Sequence, residues 1–102
     1  MKLSEIGKEA EILEDEAGID IDAVMHKLTQ ETGELNDAIQ KYRGIYSKTE
    51  GNFEDVKSEF GDVIFNLVSI ANKLGISPDE FPALAEMTLK KFKERIELYK
   101  KS

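Results

Sequence analysis

Two short acidic segments have the residue types and spacing to do chemistry: Glu31-Thr32-Gly33-Glu34 and Glu59-Phe60-Gly61-Asp62. Each sets two carboxylates three residues apart, with a glycine just before the second. At ~100° per residue, such a pair falls within about 60° on one side of a helix, one turn apart. Each segment is therefore a two-pronged oxygen donor if it is helical. Acidic pairs at this spacing are also common on solvated faces, where most charged residues sit, so the surroundings decide the weight. On a helical wheel Glu59, Asp62, Asn66, Ser69 and Lys73 form one narrow polar stripe, and apart from them and Asn72 the stretch from Phe60 to Leu74 is apolar or glycine. In the other segment Glu31 sits at the edge of the apolar stripe Val24, Leu35 and Tyr42, with Glu34, Lys27 and Ala38 beside it. Packed antiparallel across the loop at 44–52, the two segments bring four carboxylates together beside a core. Their repulsion and desolvation are costly there unless cations neutralise them. Hard divalent ions with oxygen ligands fit best, Mg²⁺ foremost and Mn²⁺ as a substitute. Lys27 and Asn66 lie on the same faces and are candidates for substrate binding.

The elements that must hold these groups are all helical, because apolar residues recur at three and four and only two prolines and seven glycines interrupt the chain. A first helix is expected from an N-cap at Ser4 to Gly18, with Leu3, Ile6, Ala10, Leu13 and Ala17 inward. Glu9, Glu11, Glu14, Asp15 and Glu16 would then face solvent. A second runs from Asp20 or Asp22 to Arg43 with Gly44 as its stop, and buries Val24, Leu28, Leu35, Ile39 and Tyr42. A third follows Asn52 to Leu74, before Gly75. Ser77-Pro78-Asp79-Glu80 is a capping box with proline at the first helical position, opening a fourth helix toward Lys100. Pro82 implies a bend or a later start in it. Gly33 and Gly61 point away from the carboxylates, and a mid-helix glycine costs ~1 kcal/mol relative to alanine, so close approach of another helix is expected on that side. The apolar arc of the third helix spans more than half its circumference, wider than one core requires, and implies a homo-oligomer. Asn72, within that arc, calls for a structural hydrogen bond. His26, the sole histidine, falls on the far side of its helix and reads as surface.

Composition narrows the classes. With 102 residues the chain fits one domain, 1–102, and excludes an enzyme with its site between two domains. A net charge of −7 argues against stable nucleic-acid binding. Zero cysteine removes disulfides, thiolate chemistry and sulfur-ligated zinc. No apolar leader or membrane-length run is present, so a cytoplasmic location is expected and no membrane partner.

Lys27-Leu28-Thr29-Gln30-Glu31-Thr32-Gly33-Glu34-Leu35 followed by Glu59-Phe60-Gly61-Asp62-Val63, with 24 residues between Glu34 and Glu59, resembles the paired acidic motif of the MazG-type nucleotide pyrophosphohydrolases. The similarity continues through Ala71-Asn72-Lys73-Leu74-Gly75-Ile76 to Lys91-Phe92 and Arg95. The resemblance implies an all-α, four-helix, MazG-like bundle assembled as a homodimer or a dimer-of-dimers tetramer. It implies Mg²⁺-dependent hydrolysis of a nucleoside triphosphate to the monophosphate and pyrophosphate, in nucleotide-pool housecleaning. Glu31, Glu34, Glu59 and Asp62 would be the catalytic metal ligands, and Lys91 and Arg95 the phosphate contacts. Two alternatives stay open: a base-selective relative acting on dUTP, dCTP or phosphoribosyl-ATP, and a non-catalytic module that binds nucleotide or protein. Where the family usually has two adjacent glutamates, this chain has Gln30 before Glu31, and an amide cannot act as a general base. Without tryptophan, Tyr42, Tyr46, Phe53 and Phe65 are the residues available to stack on a base.

Overall fold

The structure, a computed structural model, describes residues 1–45 and 51–101. It contains α1 (Leu3–Ala17), α2 (Ile21–Arg43), α3 (Phe53–Lys73), a 3-10 turn (Pro78–Glu80) and α4 (Phe81–Lys101). The described residues include no strand, in keeping with the expected all-α class. Local chemistry fixes the ends. The Asp20 carboxylate accepts from the Ala23 amide at 2.9 Å and the Asn52 side chain from the Asp55 amide at 2.8 Å, each satisfying an amide that has no partner within its helix. Gly18, Gly44 and Gly75 take the left-handed conformation after α1, α2 and α3, which glycine adopts without steric cost. Pro82 acts through a later start: Pro78–Glu80 winds as a 3-10 turn, and the α-helix begins at Phe81.

Helix α3 packs against both α1 and α2, so it is the shared wall of a three-helix layer. Among the described residues, α4 meets the other elements only through the 3-10 turn, and every residue from Pro82 to Lys101 is exposed. The core is small: Ala10, Val24, Val68 and Ala71 are its buried apolar residues. The start of α1 differs from expectation. The helix begins at Leu3, the Lys2 amide donates to Glu5 Oε1 at 3.1 Å, and Ser4 is tied across the chain to Asp79. Its amide donates to Asp79 Oδ1 at 3.1 Å and its hydroxyl to Asp79 Oδ2 at 2.5 Å. These bonds hold the Asp79 carboxyl below its ordinary range, with the Ser4 side-chain bond the largest cause.

The inward face of α1 is rotated from the expected one. Gly7, Ala10 and Glu14 are buried, whereas Leu13 is 64% exposed and Ala17 is also in solvent. Close helix approach occurs at Gly7, where an added Cβ would lie 3.2 Å from Asn72 Cβ and 3.4 Å from Val68 Cγ1. It does not occur at Gly33 or Gly61, whose Cβ positions have nothing within 4 Å among the described residues. The expectation of a helix against those two glycines is thus not met within one chain. On α2, Leu28, Leu35 and Ile39 are half-buried, while Tyr42 is 53% exposed and meets Phe53 edge to face at 5.7 Å. Tyr46 lies outside the described residues. His26 is exposed, and Asn72 makes its structural bond, Nδ2 to Glu11 Oε2 at 2.8 Å.

Candidate metal and phosphate site

The polar stripe of α3 turns inward except at Asp62, which is exposed. Asn66 and Ser69 are buried and Glu59 is half-buried, while Phe60, Ile64, Phe65 and Leu67 on the apolar arc are exposed. This places the acidic segment of α3 opposite that of α2. One carboxylate oxygen each from Glu31, Glu34 and Glu59 lies within 4.8 Å of the others. Glu31 is only 7% exposed, and Glu31 Oε2 and Glu59 Oε2 are both buried with no hydrogen-bond partner among the described residues. Lys27 Nζ stands 3.8 Å from Glu31 Oε1 and is 60% exposed, a loose pair that leaves most of the negative charge uncompensated. Burial pushes the Glu31 carboxyl above its ordinary range, helped by a hydrogen bond with Glu34 and by the charges of Glu34, Asp62 and Glu59.

Buried carboxylate oxygens without donors are costly. An oxygen-only donor set of this kind fits a hard divalent cation. Glu31, Glu34 and Glu59 would hold it. Asp62, one turn further along α3, acts on Glu31 through its charge and shares a cleft with it.

Two clefts flank the cluster. One, of about 410 Å³, joins Glu31 and Asp62 to Lys27 and Asn66, with Ile19, Val24 and Phe65 as apolar lining and Glu14 from α1. The other, of about 270 Å³, joins Glu34 and Glu59 to Lys41, Ser58, Asp37 and Asp55. Both sequence candidates Lys27 and Asn66 are therefore at the first cleft. Lys91 and Arg95 are not brought there: they sit on α4, which touches neither α2 nor α3.

Two features escaped the sequence reading. Lys41 is one. The other is Glu14, expected in solvent but buried: Ser69 Oγ lies 2.7 Å from its Oε1 and 3.0 Å from its Oε2, and Lys73 Nζ is 3.3 Å from Oε1. The signal was present in the spacing of Gly7, Ala10 and Glu14, small residues leading to an acid along one stripe, and in an inward Lys73 that needs a counter-charge.

The MazG nucleotide pyrophosphohydrolase domain matches residues 20–97, α2 to most of α4, and the chain belongs to that family. No curated protein and no solved structure matches it. No helix among the described residues is long and apolar enough to cross a membrane.

Proposed function

We propose that the protein is a Mg²⁺-dependent nucleoside triphosphate pyrophosphohydrolase, converting a (d)NTP and water to the (d)NMP and pyrophosphate in housecleaning of the cytoplasmic nucleotide pool. The observation that carries this reading is the convergence of Glu31, Glu34 and Glu59, two of them with buried oxygens that have no donor among the described residues, in a chain of this family. In the reaction, water adds to the α-phosphorus, the bond from that phosphorus to the α,β-bridging oxygen breaks, and the bridging oxygen leaves with pyrophosphate. Bound at these carboxylates, the cation supplies charge neutralisation, alignment of the phosphates and acidification of water. Glu31, Glu34 and Glu59 hold it, Asp62 adds charge, and an ionised carboxylate of the cluster takes up the proton that the water releases. Lys41 and Ser58 offer donors to phosphate oxygens from the second cleft.

Lys91 and Arg95 enter this reading through a homodimer or a dimer of dimers in which α4 of one copy lies against another. The exposed apolar residues of α3 and α4 support such an assembly. The decisive experiment is a nucleotide panel at low protein concentration, with Mg²⁺ and with chelator, in which pyrophosphate is distinguished from orthophosphate. Pyrophosphate release that stops with chelator is the expected result. Release of orthophosphate alone overturns the bond assignment. No turnover with nucleotide still bound supports the non-catalytic module, the reading that Gln30 favours.

A further inference from the structure

We propose that the larger cleft takes the nucleobase and selects bases with an exocyclic amino group, with Glu14 and Asn66 as the selecting residues; this rests on the nucleotide reading of the carboxylate cluster. The cleft opens directly beside that cluster, since Glu31 belongs to both and Asp62, whose charge acts on Glu31, also lines the cleft. Its volume, about 410 Å³, falls in the range of small-molecule pockets. Val24 is buried in its wall, and Ile19 and Phe65 are part-exposed at 40% and 43%, which gives a flat ring apolar surface to cover.

The polar groups deeper in the cleft are acceptors. Asn66 is 6% exposed, and its Nδ2 donates to the Asp62 carbonyl at 3.0 Å. Only the nitrogen of an amide can donate to a carbonyl, so that bond fixes which end of the Asn66 side chain is committed and leaves Oδ1 for a ligand. Glu14 is 8% exposed; its Oε1 takes Lys73 and the shorter Ser69 approach, and its Oε2 accepts from the same hydroxyl at 3.0 Å, a single bond on an oxygen with two lone pairs. Oε2 therefore keeps acceptor capacity, and Lys73, the ion-pair partner of Oε1, is not part of the cleft lining. Ser69, which grips Glu14, is three residues from Asn66 on the same stripe, with Cβ atoms at that spacing about 5–6 Å apart, so Asn66 and the Glu14 carboxylate are neighbours in the cleft lining. An amino group donating two hydrogen bonds of about 2.9 Å at about 120° spans about 5 Å. The N4 amino of cytosine or the N6 amino of adenine supplies those two donors. Uracil and hypoxanthine place a carbonyl oxygen at the same position, which sets lone pairs against lone pairs and leaves two desolvated acceptors unmet. Glu14 lies outside the stretch matched by the family, so this selection is a property of this chain's own α1.

The test compares kcat/KM for dCTP against dUTP and for ATP against ITP in the full chain with Mg²⁺, alongside calorimetric binding of CMP and UMP without metal. A preference of about tenfold or more for the amino base in both readouts is expected. In Glu14→Gln it falls to within about threefold, since the amide turns a donor toward the cleft. Because Lys73 is then left without its partner, Glu14→Gln with Lys73→Met is the companion that keeps the interior neutral. Equal or reversed preferences in the wild-type chain overturn the proposal, and continued pyrophosphate release then leaves the hydrolase reading standing. A full preference in a folded Glu14→Gln chain overturns the part given to Glu14. CMP binding over UMP with no turnover of any nucleotide supports the cleft and overturns the hydrolase reading. Neither turnover nor binding overturns both.

Discussion

Glu31 is where the conflict between burial and charge is sharpest, because it is the buried member of the three converging carboxylates and has an oxygen with no donor. Its carboxyl is raised, with burial the largest cause, so the folded chain holds that proton more tightly than the unfolded one. Without metal, this group's contribution to stability is therefore fully present below the unfolded pKa and is lost as pH rises through the folded one. A cation displaces the proton, so the rise in Tm on adding Mg²⁺ is expected to grow with pH across the same window. Thermal melts at several pH values, with and without Mg²⁺, check this, and Glu31→Gln flattens both curves. Glu34→Gln and Asp62→Asn are expected to lower turnover by about 100-fold or more, since even outer-shell partners of a metal cost 10–100-fold. The metal-free Tm stays equal or rises, because each change removes a charge that repels Glu31. A lower metal-free Tm would assign these residues a structural role. Gln30 is exposed next to Glu31. Gln30→Glu is expected to change turnover by less than about tenfold at saturating Mg²⁺ and substrate, whereas a missing general base would return about 10²- to 10⁴-fold.

At the scale of elements, what the sequence discloses is what depends on neighbours along the chain. The caps at Asp20 and Asn52 and the stops at Gly18, Gly44 and Gly75 need only local backbone geometry, and all are as expected. The acidic segments were legible for the same reason, since i, i+3 spacing is a property of one helix. Which face of α1 turns inward depends on its neighbour: Gly7 lets α1 approach α3, and Ser69 with Lys73 then gives Glu14 a partner, so Glu14 is buried and Leu13 is not. A wheel of α1 shows the stripe Gly7, Ala10 and Glu14 but not that Ser69 and Lys73 stand opposite it. Gly33 and Gly61 mislead similarly, because a helix wheel cannot say which chain occupies the space beside it. The Asp79 link between the 3-10 turn and α1 also joins distant residues, and it has a measurable pH signature. The carboxyl is lowered, chiefly by its bonds with Ser4, so the stabilisation it confers is present above the unfolded pKa and is lost as pH falls through the folded one. Asp79→Asn is expected to melt at lower temperature than the wild-type chain at pH 7. The difference shrinks toward zero at the acid end of the series, and a difference that persists at all pH values would mean that the charge is not its source.

For the whole molecule, the distribution of apolar surface is the main constraint. The described chain leaves Ile64, Phe65 and Leu67 on α3 and Leu84, Met87, Leu89 and Phe92 on α4 exposed, far more large apolar side chains than the four buried apolar residues of its core. Exposed large apolar side chains in this number are expected at an interface, and closed two-fold assembly is the commonest way for identical chains to cover them. Such an assembly would give Lys91 and Arg95, which α4 holds away from its own chain's carboxylates, a route to a partner's. Light scattering at micromolar concentration is expected to give a dimer or tetramer, and Phe92→Glu to shift it toward monomer with loss of turnover; a wild-type monomer that turns over nucleotide would remove the assembly from the mechanism. Complementation then tests which chain supplies the basic residues. Arg95→Ala and Glu34→Gln chains are each expected to be impaired alone, the first at the phosphate contact and the second at the metal. If Arg95 serves a partner's carboxylates, the mixed dimer contains one site that has Glu34 from the Arg95→Ala chain and Arg95 from the Glu34→Gln chain. Random exchange makes half of all dimers mixed, with one of two sites intact in each, so activity returns to about a quarter of wild type. If Arg95 serves its own chain, every site in the mixture carries a defect, and co-refolding the two variants recovers nothing beyond the sum of the separate chains.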